Sequence, residues 1–196
     1  MVIKSAEFIK SCASEKDYAS ITLPVIAVAG KSNVGKSSFI NMLTGNGKLA
    51  KTSKEAGRTR LVNLFLINSQ FILADLPGWG YSAAGKSVTT DFGALTEGFL
   101  KSVNAAGKLK HIFMLVDIRH EPSDADKQML SFMHRLQIPF TALAVKSDKL
   151  SGAKINPQID IIAAALGLGR ANVIPVSGLT KAGKAEVLKR IGETLN

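Results

Sequence analysis

The segment Gly30-Lys31-Ser32-Asn33-Val34-Gly35-Lys36-Ser37 constrains this chain more than any other feature. It meets G-x-x-x-x-G-K-[ST] at every fixed position, follows the apolar run Pro24-Val25-Ile26-Ala27-Val28-Ala29, and opens a helix-compatible stretch. Strand, loop and helix in that order make the pattern a phosphate cradle rather than a chance glycine-rich turn. The glycines let backbone N–H groups turn inward around phosphates, and the helix N-terminus adds positive potential. Lys36 is expected to reach the β- and γ-phosphates of a nucleoside triphosphate, and the Ser37 hydroxyl to ligate Mg²⁺.

Around this loop, short β-branched runs alternate with helical patterns, which predicts an α/β domain: a mainly parallel sheet with helices on both faces. The expected strands are Val25–Ala29, Leu61–Ile67, Phe71–Asp75, Ile112–Asp117, Thr141–Val145 and Asn172–Val176. Asn68-Ser69-Gln70 is too short for a crossover helix, so the second and third of these strands should form an antiparallel hairpin in an otherwise parallel six-stranded sheet. The expected helices are Lys36–Leu43, Asp91–Asn104, Ser123–Leu136, Pro157–Leu166 and Lys181–Thr194. Residues 1–22 are read as an N-terminal extension packed on a single domain spanning 23–196. Thr44–Arg60 and Pro77–Thr90 lack periodicity and flank strands that end at the phosphates, so they are expected to be mobile switch loops.

Composition narrows the partners. The 196 residues hold 25 basic and 15 acidic side chains, a net charge of +10, which suits a polyanion such as nucleic acid, an anionic membrane surface, or general solubility. Cys12 is the only cysteine, so intramolecular disulfides and cysteine metal clusters are excluded. No apolar run is long enough to span a bilayer and the N-terminus lacks a signal-peptide core, which predicts a soluble cytoplasmic protein without membrane attachment.

Downstream motifs extend the site. Asp75 ends an apolar strand and opens Asp75-Leu76-Pro77-Gly78, where the acid can hold Mg²⁺ through water and the Gly78 N–H can approach the γ-phosphate. Thr59 in Gly57-Arg58-Thr59-Arg60, with Thr52 as a competitor, can complete the Mg²⁺ shell. Lys146-Ser147-Asp148 follows the fifth expected strand. The Asp148 carboxylate can accept from the guanine N1 and N2 donors while the Lys146 stem covers the base, and Ser177-Gly178 can offer a backbone N–H to O6.

Ala29 to Ser38, Gly57-Arg58-Thr59, Asp75-Leu76-Pro77-Gly78-Trp79-Gly80-Tyr81 and Asp117-Ile118-Arg119-His120 together resemble the EngB family of bacterial ribosome-biogenesis GTPases, in order and spacing, from about residue 20 to the C-terminus. The resemblance implies a Ras-like fold, Mg²⁺-dependent GTP hydrolysis, and a switch role in assembling the large (50S) ribosomal subunit, needed for growth and cell division. It selects Thr59 over Thr52, and it adds Ser38, Gly57 and Arg58 to the nucleotide contacts. Two positions depart from the family pattern: Val145 stands where Thr or Asn usually braces the phosphate loop, and Trp79 where Tyr is typical.

An aromatic at residue 79 also replaces the glutamine that orients water in many GTPases, and no built-in arginine finger is visible, so slow intrinsic hydrolysis is expected. Asn33 resembles the residue of potassium-dependent members, which makes K⁺ a candidate ligand. Lys48, Lys51, Lys54, Arg58 and Arg60 form a basic loop that can couple GTP to contact with the rRNA of a large-subunit precursor. A monomer is the default. The alternatives are a GTPase of another RNA-linked task such as tRNA modification, a small-molecule kinase, and a nucleotide-binding scaffold.

Overall fold

The computed structural model describes residues 1–51, 61–79 and 93–195. In chain order the elements are β1 (Ala6–Cys12), α1 (Glu15–Tyr18), β2 (Val25–Gly30), α2 (Lys36–Thr44), β3 (Val62–Ile67), β4 (Phe71–Asp75), α3 (Ala94–Ala105), β5 (Leu109–Asp117), α4 (Asp124–Arg135), β6 (Phe140–Val145), α5 (Gly152–Ala165), β7 (Val173–Val176) and α6 (Lys184–Leu195). The sheet order is β1-β3-β4-β2-β5-β6-β7. β3 alone runs against the others, pairing antiparallel with β1 on one side and β4 on the other.

The expected six strands become seven because Ala6–Cys12 joins the sheet at its edge. Its alternation is weak: most of its side chains face solvent, and only Cys12 is fully buried. The hairpin expected at Asn68-Ser69-Gln70 forms, with Asn68 and Ser69 at φ 52° and 55°, the left-handed pair that matches strand twist in a two-residue turn. The Asn68 side chain accepts from the Lys4 and Ser5 N–H groups at 2.7 and 3.1 Å, anchoring the chain start beside the turn.

Two helices start elsewhere than their proline and glycine positions suggest. α5 begins at Gly152 rather than at Pro157, which sits exposed inside the helix. Ile155, Ile159 and Ile162 recur at helical spacing against the core, so burial sustains the helix through the lost N–H. α6 begins at Lys184 rather than Lys181, since Lys181 and Gly183 hold φ of 64° and 76°.

Two apolar layers sandwich the sheet. Tyr18, Phe99, Leu100, Met129, Met133 and Ile162 cover one face, from α1, α3, α4 and α5. Phe39, Ile40, Leu43, Val187 and Ile191, from α2 and α6, cover the other. Each fully buried Phe or Ile contributes roughly 1.5–3 kcal/mol relative to exposure. β2 and β5 are apolar and buried almost throughout, as central parallel strands must be, and their carboxyl ends present the loops of the site.

Candidate functional site

β2 ends at Gly30 and α2 begins at Lys36, so residues 31–35 form the turn the motif requires. A Cβ on Gly30 would lie 2.9 Å from Val34 Cγ1 and 3.0 Å from the Leu115 carbonyl oxygen, so the β2–β5 contact admits only glycine. Gly35 takes φ 116° at the N-cap and Asn33 takes φ 61°, a region that Asn tolerates better than most residues. No side chain caps α2, which leaves its first-turn N–H groups directed at the loop.

Lys36, Asp75 and Gly78 converge on this loop. The parallel register Val28↔Asp75 sets the acid beside it. The Lys36 ammonium donates to the Gly30 carbonyl at 3.4 Å. A Cβ on Gly78 would meet Lys36 Nζ at 3.0 Å and Ser32 Cα at 2.9 Å. Ser32 donates through its N–H to the Trp79 carbonyl at 2.9 Å and through Oγ to the Gly78 carbonyl at 3.2 Å. The D-x-x-G segment therefore lies along the phosphate loop as a strand continuation.

Asp75 is buried and its Oδ1 has no hydrogen-bond partner. Burial pushes its carboxyl up to about 6, against the pull of Lys36 and a bond from Asn63. Burial likewise lowers Lys36, with Asp75 opposing. Two desolvated opposite charges at a phosphate cradle suit a divalent cation and a polyanion, which would satisfy both at once. Among the described residues no group of three or more His, Cys, Asp and Glu is able to hold a metal. A cation that fits here would therefore depend on Ser37, Asp75, water and phosphate oxygens together.

At the other end of the site, Lys146 leaves β6 with φ 65°, and its ammonium donates to the Asn33 carbonyl at 3.1 Å and to Asp117 Oδ2 at 2.9 Å. Arg119 clamps the same carboxylate, Nε to Oδ1 at 2.9 Å and Nη2 to Oδ2 at 2.7 Å. Partial burial would raise Asp117, but the bonds from Arg119 and Lys146 outweigh it and hold the carboxyl well below the usual range. Asp148 sits in the short 3₁₀ turn Ser147–Lys149 and accepts from Ser177 Oγ at 2.7 Å, a bond that lowers its carboxyl further than burial raises it. Ser177 Oγ in turn accepts from the Leu179 and Thr180 N–H groups. A Cβ on Gly178 would lie 3.3 Å from Ser38 Cβ, so this turn packs on the start of α2.

The structure thus gathers Gly30 to Ser38, Asp75, Gly78, Lys146, Asp148, Ser177 and Gly178. Gly57, Arg58 and Thr59 lie outside the described residues, as do Thr52, Lys54, Arg60, Gly80 and Tyr81. Val145 is packed among Leu143, Ile174 and Val176, and the bracing of the phosphate loop comes instead from the Lys146 ammonium. Trp79 points into the core, its indole N–H donating to Asp126 Oδ1 at 3.2 Å, while Asp126 Oδ2 accepts from the Ser123 N–H and hydroxyl. Sequence reasoning missed Asp117 as the anchor of Lys146. Its signal is an acid at the end of the neighbouring strand, in register with Val145. A cavity of about 200 Å³ lies between the phosphate loop and the start of α4, lined by Asn33, Asp117, His120 and Lys146 among others.

Relatives decide what this arrangement belongs to. The chain is 41% identical over 196 residues to the probable GTP-binding protein EngB of Clostridium perfringens (strain 13 / Type A), covering 100% of this chain and 98% of the relative. It is 40% identical over 197 residues to that of Fusobacterium nucleatum subsp. nucleatum, with complete coverage of both. The chain belongs to the EngB family of GTP-binding proteins. A family model described as 50S ribosome-binding GTPase matches residues 25–146, which includes the phosphate loop, the D-x-x-G segment and Lys146. The crystal structure of a probable GTP-binding protein EngB shares the fold with a TM-score of 0.68 at 24% identity, covering 87% of this chain and 98% of that one. Era in complex with MgGDPNP and nucleotides 1506–1542 of 16S ribosomal RNA superposes with a TM-score of 0.65 at 27% identity, covering 88% of this chain and 56% of that one. In keeping with that family model, the chain is a GTPase with the α/β P-loop GTPase fold. Among the described residues no helix is long and apolar enough to cross a membrane.

Proposed function

We propose that this GTPase is a guanine-nucleotide switch acting in assembly of the large ribosomal subunit, with the bound nucleotide gating contact with a precursor particle and its rRNA. The observation that carries the switch is the convergence of Lys36, Asp75 and Gly78 on one loop, with both charges desolvated. Lys36 neutralises the β- and γ-phosphates, and the Gly78 N–H reads the γ-phosphate. Ser37, Thr59 and, through water, Asp75 would hold Mg²⁺, which would neutralise phosphate charge when bound. Gly57 and Arg58 are the remaining expected nucleotide contacts. Lys146 covers the base, Asp148 accepts from its N1 and N2 donors, and the Gly178 turn faces O6.

Support for the large-subunit partner comes from the matched family description, and support for rRNA contact in general from the 16S rRNA held by the Era neighbour and a net charge of +10. With Trp79 buried against α4, no side chain at that position orients the attacking water, so hydrolysis by the isolated protein should be slow. K⁺ beside Asn33 is a candidate accelerator, and equal hydrolysis in KCl and NaCl would remove it. A cytoplasmic role in growth and division follows from the ribosomal reading. Titration with labelled GDP, GTP and ATP, then single-turnover hydrolysis, then sedimentation with large-subunit particles at increasing salt, tests the whole assignment. Adenine binding equal to guanine binding, or no salt-sensitive association with particles in either nucleotide state, would refute it.

A further inference from the structure

The nucleotide site occupies the carboxyl ends of the strands, and the amino ends form an opposite pole. β5 spans nine residues, which at about 3.3 Å each separates the two poles by roughly 25–30 Å. Three turns lie side by side at the far pole: Ala106-Gly107-Lys108 leading into β5, Leu136-Gln137-Ile138-Pro139 leading into β6, and residues 166–172 leading into β7. None of these three contains an acidic residue; the acids nearest them in the chain's approach to β2 are Glu15 and Asp17 on α1, of which Asp17 is taken up by the N–H groups of Ala13 and Ser14.

Two of the cations here share one ring, and two more lie close by in the chain. Asn104 Nδ2 donates to the Leu136 carbonyl at 3.0 Å, tying the end of α3 to the end of α4. Lys101 from α3 and Arg135 from α4 both stand over the Phe132 ring, each 5.9 Å from its centroid. Lys108 and Lys110 rise from the adjoining turn and strand, and His134 lies next to Arg135. Glu97 balances Lys101 at 3.1 Å, while Lys108, Lys110 and Arg135 make no ion pair among the described residues. A helix C-terminus attracts cations by itself, which accounts for His134 and Arg135. It does not account for Lys108 and Lys110, which lie off the helices.

We propose that this pole is a second RNA-binding surface, in which Lys101, Lys108, Lys110 and Arg135 engage phosphates of the RNA partner away from the nucleotide. The proposal rests on the ribosomal reading above and adds a contact independent of the basic residues between 48 and 60. RNA is favoured over a membrane because the three turns expose no large apolar side chain able to enter a bilayer. Unpaired lysines and an arginine held over an aromatic ring suit a row of phosphates instead.

The test uses the full chain loaded with GDP, a labelled large-subunit rRNA hairpin and, separately, phosphatidylserine vesicles. The variant Lys108→Gln/Lys110→Gln/Arg135→Gln keeps much of the side-chain stems and removes three exposed or half-exposed charges. RNA affinity should fall about tenfold or more, and the log–log salt slope should shrink by about 2–3, as for three lost phosphate contacts. GDP affinity and thermal unfolding should match the wild type, and single Lys110→Gln should give an intermediate slope. Equal RNA affinity and slope in wild type and triple variant, with the wild type binding RNA, would overturn this surface and leave the ribosomal reading standing. A wild type that binds neither RNA nor large-subunit particles would overturn both. An effect confined to the vesicles would overturn RNA as the partner.

Discussion

Replacing Asp75 by Asn should make the nucleotide-free protein more stable while impairing its use of Mg²⁺. Burial raises the Asp75 carboxyl from 3.8 to about 6 even with Lys36 nearby, so the folded state binds this proton more tightly than the unfolded chain does. The group's contribution to stability is therefore full below pH 3.8 and declines as pH rises toward 6. Above that window the ionised carboxylate costs the fold about 3 kcal/mol, at about 1.4 kcal/mol per unit. Asn keeps the shape and removes the charge. At neutral pH it should raise Tm by roughly 6–12 °C, using about 2–4 °C per kcal/mol for a chain of this size. At about pH 4, where the wild-type carboxyl is protonated in the folded state, the two proteins should unfold together. The assay is thermal unfolding without nucleotide at both pH values, paired with GTP binding with and without Mg²⁺. An Asp75→Asn protein no more stable than wild type at neutral pH would refute the desolvation argument.

Three further outcomes follow from the same geometry. His111 is pushed down from 6.5 to about 4 by burial first and Arg190 second, so its contribution is full above 6.5 and lost as pH falls toward 4. That loss, about 3 kcal/mol, is opposed by Asp75 in the wild type, so it should emerge in urea unfolding of the Asp75→Asn protein, and a flat profile there would contradict it. Asp117→Asn should weaken GDP binding by about 10- to 100-fold, since a bond to a charged group is worth about 1.5–3 kcal/mol. Its effect should not add to that of Lys146→Met in a double-mutant cycle, and full additivity would mean that Asp117 does not act through Lys146. Asp148→Asn should lower guanine affinity by about 100-fold or more and transfer preference to xanthine, whose C2 carbonyl accepts where guanine donates; unchanged GDP and XDP titrations would place the base elsewhere.

Much of the architecture is legible residue by residue. β2, β4 and β6 are short apolar runs buried on both sides, so their hydrophobicity marks them without reference to the rest of the chain. β1 escapes that logic, because an edge strand with its side chains mostly in solvent needs only the β3 backbone to hold it. The start of α5 escapes it too: Pro157 has the local look of a first-turn residue, but the helix begins after Ser151 and packs the partly buried Ile155 against the core.

The candidate site divides along the same line. The phosphate loop is determined by its own eight consecutive residues, since its function lies in backbone N–H groups whose directions follow from Gly30, Gly35 and the strand–helix junction. Tertiary structure alone brought Asp75 into the register Val28↔Asp75 and stripped it of water, and it alone set Asp117 beside Lys146 across the β5–β6 pair. It also turned Trp79 inward to Asp126 and brought Lys101 and Arg135 together over Phe132. The reason is physical: a turn's geometry is set by its own residues, whereas desolvation and charge pairing depend on distant segments that meet only when the sheet closes over its core.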